Sequence, residues 1–253
     1  MDSFITWVGG KKLLRKEIAK RFPENIGRYV EVFGGAAWVL FYQEKYAPQE
    51  IYNDINGELV NLFKMVKYHS NAVQEELNWM LNAREIFEEF KIQKGMTEIQ
   101  RAARFYYLIR ASYGAKVFSY GGIYRDNTTI LKNIESVKQR LSKVVIENKN
   151  FTDILKQYDK EDTLFYCDPP YYKAEKYYKT GSFDFDEKQH ILLRDMLKDI
   201  KGKFVLSYNN DDFIKELYKS FYIEEVERLN NLASNAGKNK TYKELIIRNF
   251  ETL

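Results

Sequence analysis

A chain of 253 residues that is 45% hydrophobic and 30% charged has the balance of an ordinary globular protein, and its length suits one large domain or a domain carrying an insert. No apolar run reaches the roughly 18 residues of a membrane-spanning helix, and MDSFITWVGGKKLL at the start lacks a signal-peptide core, so a cytoplasmic location is expected. A single cysteine, Cys167, excludes an internal disulfide framework and a cysteine-cluster zinc site, and the separated His69 and His190 lead us to expect no metal.

Taken in chain order, a series of short apolar runs ends in polar or Gly-rich corners. Residues 29–33 (YVEVF) run into Gly34-Gly35, and 50–53 (EIYN) run into Asp54. The segment VFGGAAWVL reads as a strand end that opens directly into a helix. From about Gly57 the pattern changes to helices over 58–68, 72–90 and 98–110, with Ile99, Ala102, Ala103 and Tyr106 at helical spacing. A Gly- and Tyr-rich loop or hairpin through Gly121-Gly122 follows. Strand-like runs resume at 144–146, 163–167 and 203–208, with a helix through Leu193, Met196, Leu197 and Ile200. The runs at 221–223 and 245–247 read as a closing pair. Alternating strands and helices predict a mostly parallel α/β sheet. The interruption predicts an inserted, mostly helical domain over 57–143, with 1–56 and 144–253 forming the sheet domain.

The net charge of +4 is concentrated in that insert. Residues 57–145 carry 14 Lys+Arg against nine Asp+Glu, and 101–143 carry nine basic residues against two acidic ones. Tyr106, Tyr107, Tyr113, Phe118, Tyr120 and Tyr124 are interleaved with them. Basic and aromatic side chains in alternation suit a polyanion that bears stackable bases. A solvated basic face is the plainer reading.

Three corners carry the chemistry. In an open α/β sheet, ligands bind beyond the carboxyl ends of the strands. The adjacent glycines 34 and 35 allow close backbone approach, and Asp54 follows Gly34 at the spacing from which a carboxylate reaches a ribose diol. The third glycine of a dinucleotide fingerprint is missing from Phe33-Gly34-Gly35-Ala36-Ala37, which disfavours a nicotinamide dehydrogenase. The third corner is FYCDPPYYK, 165–173. Strand alternation sends Cys167 and Asp168 to opposite faces, so a ligand-facing Asp168 leaves Cys167 to the packing. Prolines have no N–H to donate, so a rigid turn presents their carbonyls outward. A carboxylate beside a fixed carbonyl is a pair of acceptors suited to an exocyclic –NH₂, and Tyr171 offers a ring on which a base could stack.

At this point the sequence resembles the amino-group DNA methyltransferases of the α class, the Dam-like (D12-type) adenine-N6 enzymes. The resemblance rests on Trp7-Val8-Gly9-Gly10-Lys11, Phe33-Gly34-Gly35 and Asp168-Pro169-Pro170-Tyr171, in that order, with the insert before the last. It implies a Rossmann-like S-adenosylmethionine-dependent methyltransferase sheet, with S-adenosyl-L-methionine as methyl donor, S-adenosyl-L-homocysteine as product and no metal. It implies that Trp7, Gly10, Lys11, Phe33, Gly34, Gly35, Asp54, Phe151 and Asp168 hold the cofactor. Asp168 and the carbonyl of Pro169, on the turn completed by Pro170, would accept the two N6 hydrogens of adenine, with Tyr171 stacked on the base. Those acceptors localise the nitrogen lone pair for direct in-line attack on the methyl group, with no covalent enzyme intermediate. A base inside double-stranded DNA cannot reach such a pocket, so it must be flipped out. Arg110, Tyr113, Lys116 and Arg125 are the candidates for touching DNA, and the polar, basic segment 230–240 is a candidate loop over the site. His190 is expected to be structural. A monomer or weak dimer is expected.

The family's GATC readers carry an Asn-Arg-x-x-[Tyr/Phe]-Asn-Gly segment in the insert, whereas here residues 108–115 read LIRASYGA. The arginine is kept and its surroundings are not, so no target sequence is assigned. The alternatives are methylation of another planar amine (cytosine N4, RNA adenine or a glutamine amide) and a non-catalytic DNA-binding protein that keeps the fold. Asp rather than Ser before Pro-Pro-Tyr favours adenine over cytosine by family analogy.

Overall fold

The computed structural model describes residues 1–115, 117–122, 134–173, 185–229 and 241–251. The sheet strands are β1 (Arg28–Glu31), β2 (Gln49–Asn53), β3 (Val144–Glu147), β4 (Thr163–Cys167), β5 (Lys203–Asn209), β6 (Tyr222–Leu229) and β7 (Thr241–Arg248). Among the described residues they form a seven-stranded sheet in the order β3-β2-β1-β4-β5-β7-β6. The first five run parallel, and β7 inserts antiparallel between β5 and β6. This is the Rossmann-like methyltransferase sheet that the resemblance implied, and the two late runs do close it.

Every residue of β4 is buried, as is required of a parallel strand covered on both faces. Alternation divides the side chains between two cores. Tyr29, Tyr52, Leu164, Tyr166 and Val205 pack on one face, and Val30, Ile51, Phe165, Cys167 and Phe204 on the other. Cys167 is therefore core, and burial pushes its thiol pKa up. His190 is also buried, bonded through Nδ1 to the Tyr208 hydroxyl, and desolvation lowers it to about 4. Both residues are structural, as expected.

The helices are α1 (Arg15–Ala19), α2 (Gly57–Asn78), α3 (Arg84–Ile92), α4 (Glu98–Ala111), α5 (Ile134–Leu141), α6 (Phe151–Tyr158), α7 (Glu187–Asp199) and α8 (Asp212–Leu217). Three expectations are corrected. The break expected near 69–71 is only a kink at His69 (φ −134°, ψ 36°) inside α2. Val66, Ser70 and Val73 are buried on both sides of it, so packing carries the helix through. The expected 72–90 helix instead breaks between Asn78 and Arg84. There the Tyr107 hydroxyl donates to the carbonyls of Leu81 and Ala83 (both 3.1 Å) and accepts from the Ala83 N–H, serving backbone groups that a helix would pair internally.

The helix expected directly after Gly35 does not form either. Residues 36–42 are turns, because Ala37 is left-handed (φ 55°) and the Leu40 N–H donates to the Glu31 carboxylate (2.9 Å). Helix α4 starts on a capping box, with Thr97 accepting from the Gln100 N–H. Helix α2 and the sheet share a core: Phe63 of α2 stacks on Tyr52 of β2 at 4.3 Å.

Arg140 fastens α5 to β2. It donates to both oxygens of Glu50 (2.7 and 2.8 Å) and to the carbonyls of Leu40 and Gln43, with the pair 6% and 4% exposed. Removing one partner strands the other charge in the core. Arg140→Ala is expected to cost about 3–5 kcal/mol, read as a lower urea midpoint with an unchanged slope.

Candidate active site

Strand order reverses between β1 and β4, the neighbours from which the chain departs in opposite directions. Their carboxyl ends therefore bound a crevice at the topological switch point. A cavity of about 480 Å³ lies there, within the size range of small-molecule sites. Its lining includes Trp7, Gly10, Lys11, Phe33, Gly34, Gly35, Asp54, Asp168, Pro169 and Pro170. Four separate sequence segments thus converge on one space.

The turn after β1 is held open by its neighbours. A Cβ on Gly34 would stand 2.2 Å from the Tyr52 ring, and Gly35 has φ +49°. The Tyr52 hydroxyl donates to the Gly35 carbonyl (2.8 Å), and the Gly35 N–H donates to Asp54 (2.8 Å). The other oxygen of Asp54 accepts from the Asn56 N–H (2.8 Å), while Asn56 itself caps α2. Asp54 is thus not the helix cap. Burial raises its pKa against the pull of these backbone donors. Asn53 ties the strand ends together, donating to the carbonyls of Val32 and Lys149 and accepting from the Lys149 N–H.

At the end of β4, Lys11 contacts both oxygens of Asp168 at 2.6 and 2.7 Å and also donates to the Gly9 carbonyl. The Ser207 hydroxyl donates to Asp168 Oδ1 (2.9 Å). Desolvation raises the Asp168 pKa, and Lys11 opposes it. A carboxylate has about four lone-pair sites, so these two donors leave acceptor capacity toward the cavity. Tyr171 lies beside this group, outside the cavity lining, with its ring 6.3 Å from that of Tyr208 and its hydroxyl donating to Glu244. The Lys11 ammonium stands 4.6 Å from the Tyr171 ring centre. Phe151 does not line the cavity either. It packs behind Phe33 (5.7 Å) and against Phe185 (5.6 Å), which does line it.

Arg110 and Tyr113 lie away from the cavity lining, at and just beyond the end of α4, and Tyr113 is 71% exposed. Lys116, Arg125 and the 230–240 segment are outside the described residues. Among the described residues no group of three or more potential ligands could hold a metal ion, and no helix is long and apolar enough to cross a membrane.

Several residues at the site were not anticipated. Glu31, buried in β1, accepts from the Tyr29 hydroxyl (2.8 Å) and borders the cavity; burial pushes its pKa up to about 8. Ser207 and Glu244 stand beside Asp168 and Tyr171, and Trp38, Glu58, Lys94 and Arg101 complete the wall. A charged or polar residue inside an apolar strand, as in YVEVF, FVLSYN and YKELII, was the available signal.

Residues 7–232 match the family of D12 class N6 adenine-specific DNA methyltransferases, and the chain belongs to that family. It is an adenine-specific DNA methyltransferase. Over 99% of its length it is 25% identical to the Type II methyltransferase M.CviBI of Paramecium bursaria Chlorella virus NC1A, all of which is covered. It is 29% identical to the Type II methyltransferase M.MjaIII of Methanocaldococcus jannaschii, over 98% of both chains. It is 26% identical to a DNA adenine methylase of Haemophilus influenzae, over 96% of this chain and 92% of that one.

Two outcomes follow from the geometry. Gly34→Ala drives a methyl into Tyr52 and should cost about 1–3 kcal/mol, read by denaturant titration, with methyl transfer lost. Glu31 keeps its proton in the fold up to about 8 but releases it near its ordinary 4.5 when unfolded. The unfolded state therefore binds fewer protons across that window, and stability falls as pH rises through it. Glu31→Gln removes this dependence, so its stability relative to the parent should improve steadily between pH 5 and 8. A pH-independent difference would mean that Glu31 is ionised in the fold.

Proposed function

We propose that the protein transfers a methyl group from S-adenosyl-L-methionine to N6 of an adenine flipped out of double-stranded DNA. The observation that carries this reading is the Asp168-Pro169-Pro170 turn. It faces the same cavity as the Gly34-Gly35 turn and Asp54, so an amine acceptor and a nucleoside-binding corner open on one space. Trp7, Gly10, Lys11, Phe33, Gly34, Gly35, Asp54 and Asp168 would hold the cofactor, with Phe151 supporting Phe33 from behind. The volume suits an adenosyl compound, and the donor set suits its hydroxyls and charged amino-acid end. When bound, the cofactor supplies a sulfonium-bound methyl group to the amine.

The protein's own work is positioning and electrostatics. Asp168 and the Pro169 carbonyl accept from the two amine hydrogens and localise the nitrogen lone pair. Asp168 is also the group placed to receive the one proton that the amine sheds. Lys11 and Ser207 keep its carboxylate oriented, and Tyr171, tethered through its hydroxyl, presents a ring to the base. Residues 57–143 serve as the recognition domain, with Arg110, Tyr113, Lys116 and Arg125 toward DNA. The enzyme works in the cytoplasm as a monomer or weak dimer.

The test is to incubate purified protein with labelled S-adenosyl-L-methionine and unmethylated genomic DNA, then separate the nucleosides. Label in N6-methyladenine is expected; label in N4-methylcytosine or in protein alone would refute the reading. Asp168→Ala should lower the single-turnover rate by at least about 100-fold while cofactor binding is partly kept. Unchanged transfer would remove Asp168 from its role.

A further inference from the structure

The wall of the cavity is not built by the sheet domain alone. Arg101, Lys94 and Glu58 line it too, and all three come from the insert. Arg101 sits in the first turns of α4, four residues before Phe105, so the two share one helix face. Phe105 meets the Trp7 ring at 6.0 Å, and Trp7 lies 3.1 Å from where a Cβ of Gly35 would stand. The Arg101 face of α4 thus looks onto the Trp7–Gly35 corner of the cavity.

The guanidinium is only partly engaged there. Its Nη2 donates to Glu58 (2.5 Å), while its Nε is buried with no hydrogen-bond partner among the described residues. A buried donor without an acceptor calls for one, and arginine has five N–H groups in a fork matched to carboxylates. The local charge also leaves room for an anion. Glu58 faces Arg101 and Arg104 (3.4 Å), and Lys94 lines the same cavity. The cofactor in the reading above carries one anionic group, the carboxylate of its amino-acid end; its ammonium and sulfonium would be repelled.

We propose, on the basis of that reading, that Arg101 binds the cofactor carboxylate, so that the recognition insert itself holds the methyl donor. Glu58 and the ligand share the guanidinium. Helix α4 carries Arg101 near its start and Arg110 near its end, roughly 14 Å further along. One rigid element therefore reports cofactor occupancy to the DNA-facing end, and by linkage each ligand affects the binding of the other.

The experiment compares equilibrium binding of S-adenosyl-L-methionine and its decarboxylated analogue to the full chain and to Arg101→Gln. The parent should bind the analogue on the order of tenfold or more weakly. Arg101→Gln should lose a similar factor for S-adenosyl-L-methionine and hardly distinguish the two compounds. If the variant weakens both equally, or keeps the parent's preference, Arg101 does not bind the carboxylate and the methyltransferase reading is untouched. If the parent binds neither compound, the cofactor reading falls and this inference with it. Glu58→Gln provides a second arm should Arg101→Gln fold poorly. Freeing the guanidinium should tighten S-adenosyl-L-methionine binding several-fold and leave the analogue unchanged, whereas an equal effect on both would overturn the assignment.

Discussion

The contact between Lys11 and Asp168 organises the site. Residues 157 apart in sequence meet at 2.6 Å, and they do so at the carboxyl edge of the central strand, where both are largely withdrawn from water. Two lone charges in such a place would each be costly; paired and further bonded by Ser207 and the Gly9 carbonyl, they are tolerable. The pairing pulls the N-terminal segment across the ends of the strands. Trp7 and Gly10 follow Lys11 to the cavity wall, where a Cβ on Gly10 would stand 2.7 Å from Trp38. That interaction holds the cavity's roof together with the packing of Phe4 on Phe63 and of Trp7 on Phe105.

Its floor comes from sheet topology. Reversal of strand order between β1 and β4 leaves no helix covering the gap between their ends. Residues 36–42 reinforce this by turning where a helix would have filled the space. The turn itself depends on Glu31, which takes the Leu40 N–H and holds the Tyr29 hydroxyl. Desolvation is the largest influence on that carboxyl and keeps it protonated well above its ordinary range, with Asp168 adding to the effect. A neutral acid at Glu31 and a lysine-paired acid at Asp168 divide the charge of one small volume unequally.

Residues 57–143 are more than an appendage on this arrangement. Stacking of Phe63 on Tyr52 and the bidentate Arg140–Glu50 pair bind them to β2 at two places, so α2 and α4 are held against the sheet rather than hinged from it. Helix α4 then touches the cavity at one end and leads toward the exposed Tyr113 at the other. That packing joins the cavity wall mechanically to the far end of α4.

Much of this was legible in the linear chain. Unbroken apolar runs such as TLFYC mark buried parallel strands, Pro-Pro after Asp168 marks a rigid turn without donors, and paired glycines mark close approach; each is a local property of backbone and side-chain chemistry. Phe33 to Gly35, Asp54 and Asp168 to Pro170 could therefore be named from local sequence, and Trp7 to Lys11 through the family resemblance; they do meet in one cavity. Helix limits were less legible: His69 is overridden by packing, and the break before Arg84 depends on the hydroxyl of Tyr107, which is distant in sequence. Glu31, Ser207, Glu244 and Arg101 carry no local mark of the site: Ser207, Glu244 and Arg101 meet partners 39, 73 and 43 residues away, and Glu31 is set apart by its burial. The sequence alone determined the kinds of chemical group that the site holds. Tertiary structure decided which of them are desolvated and paired, since burial and long-range contact exist only once the chain has closed on itself.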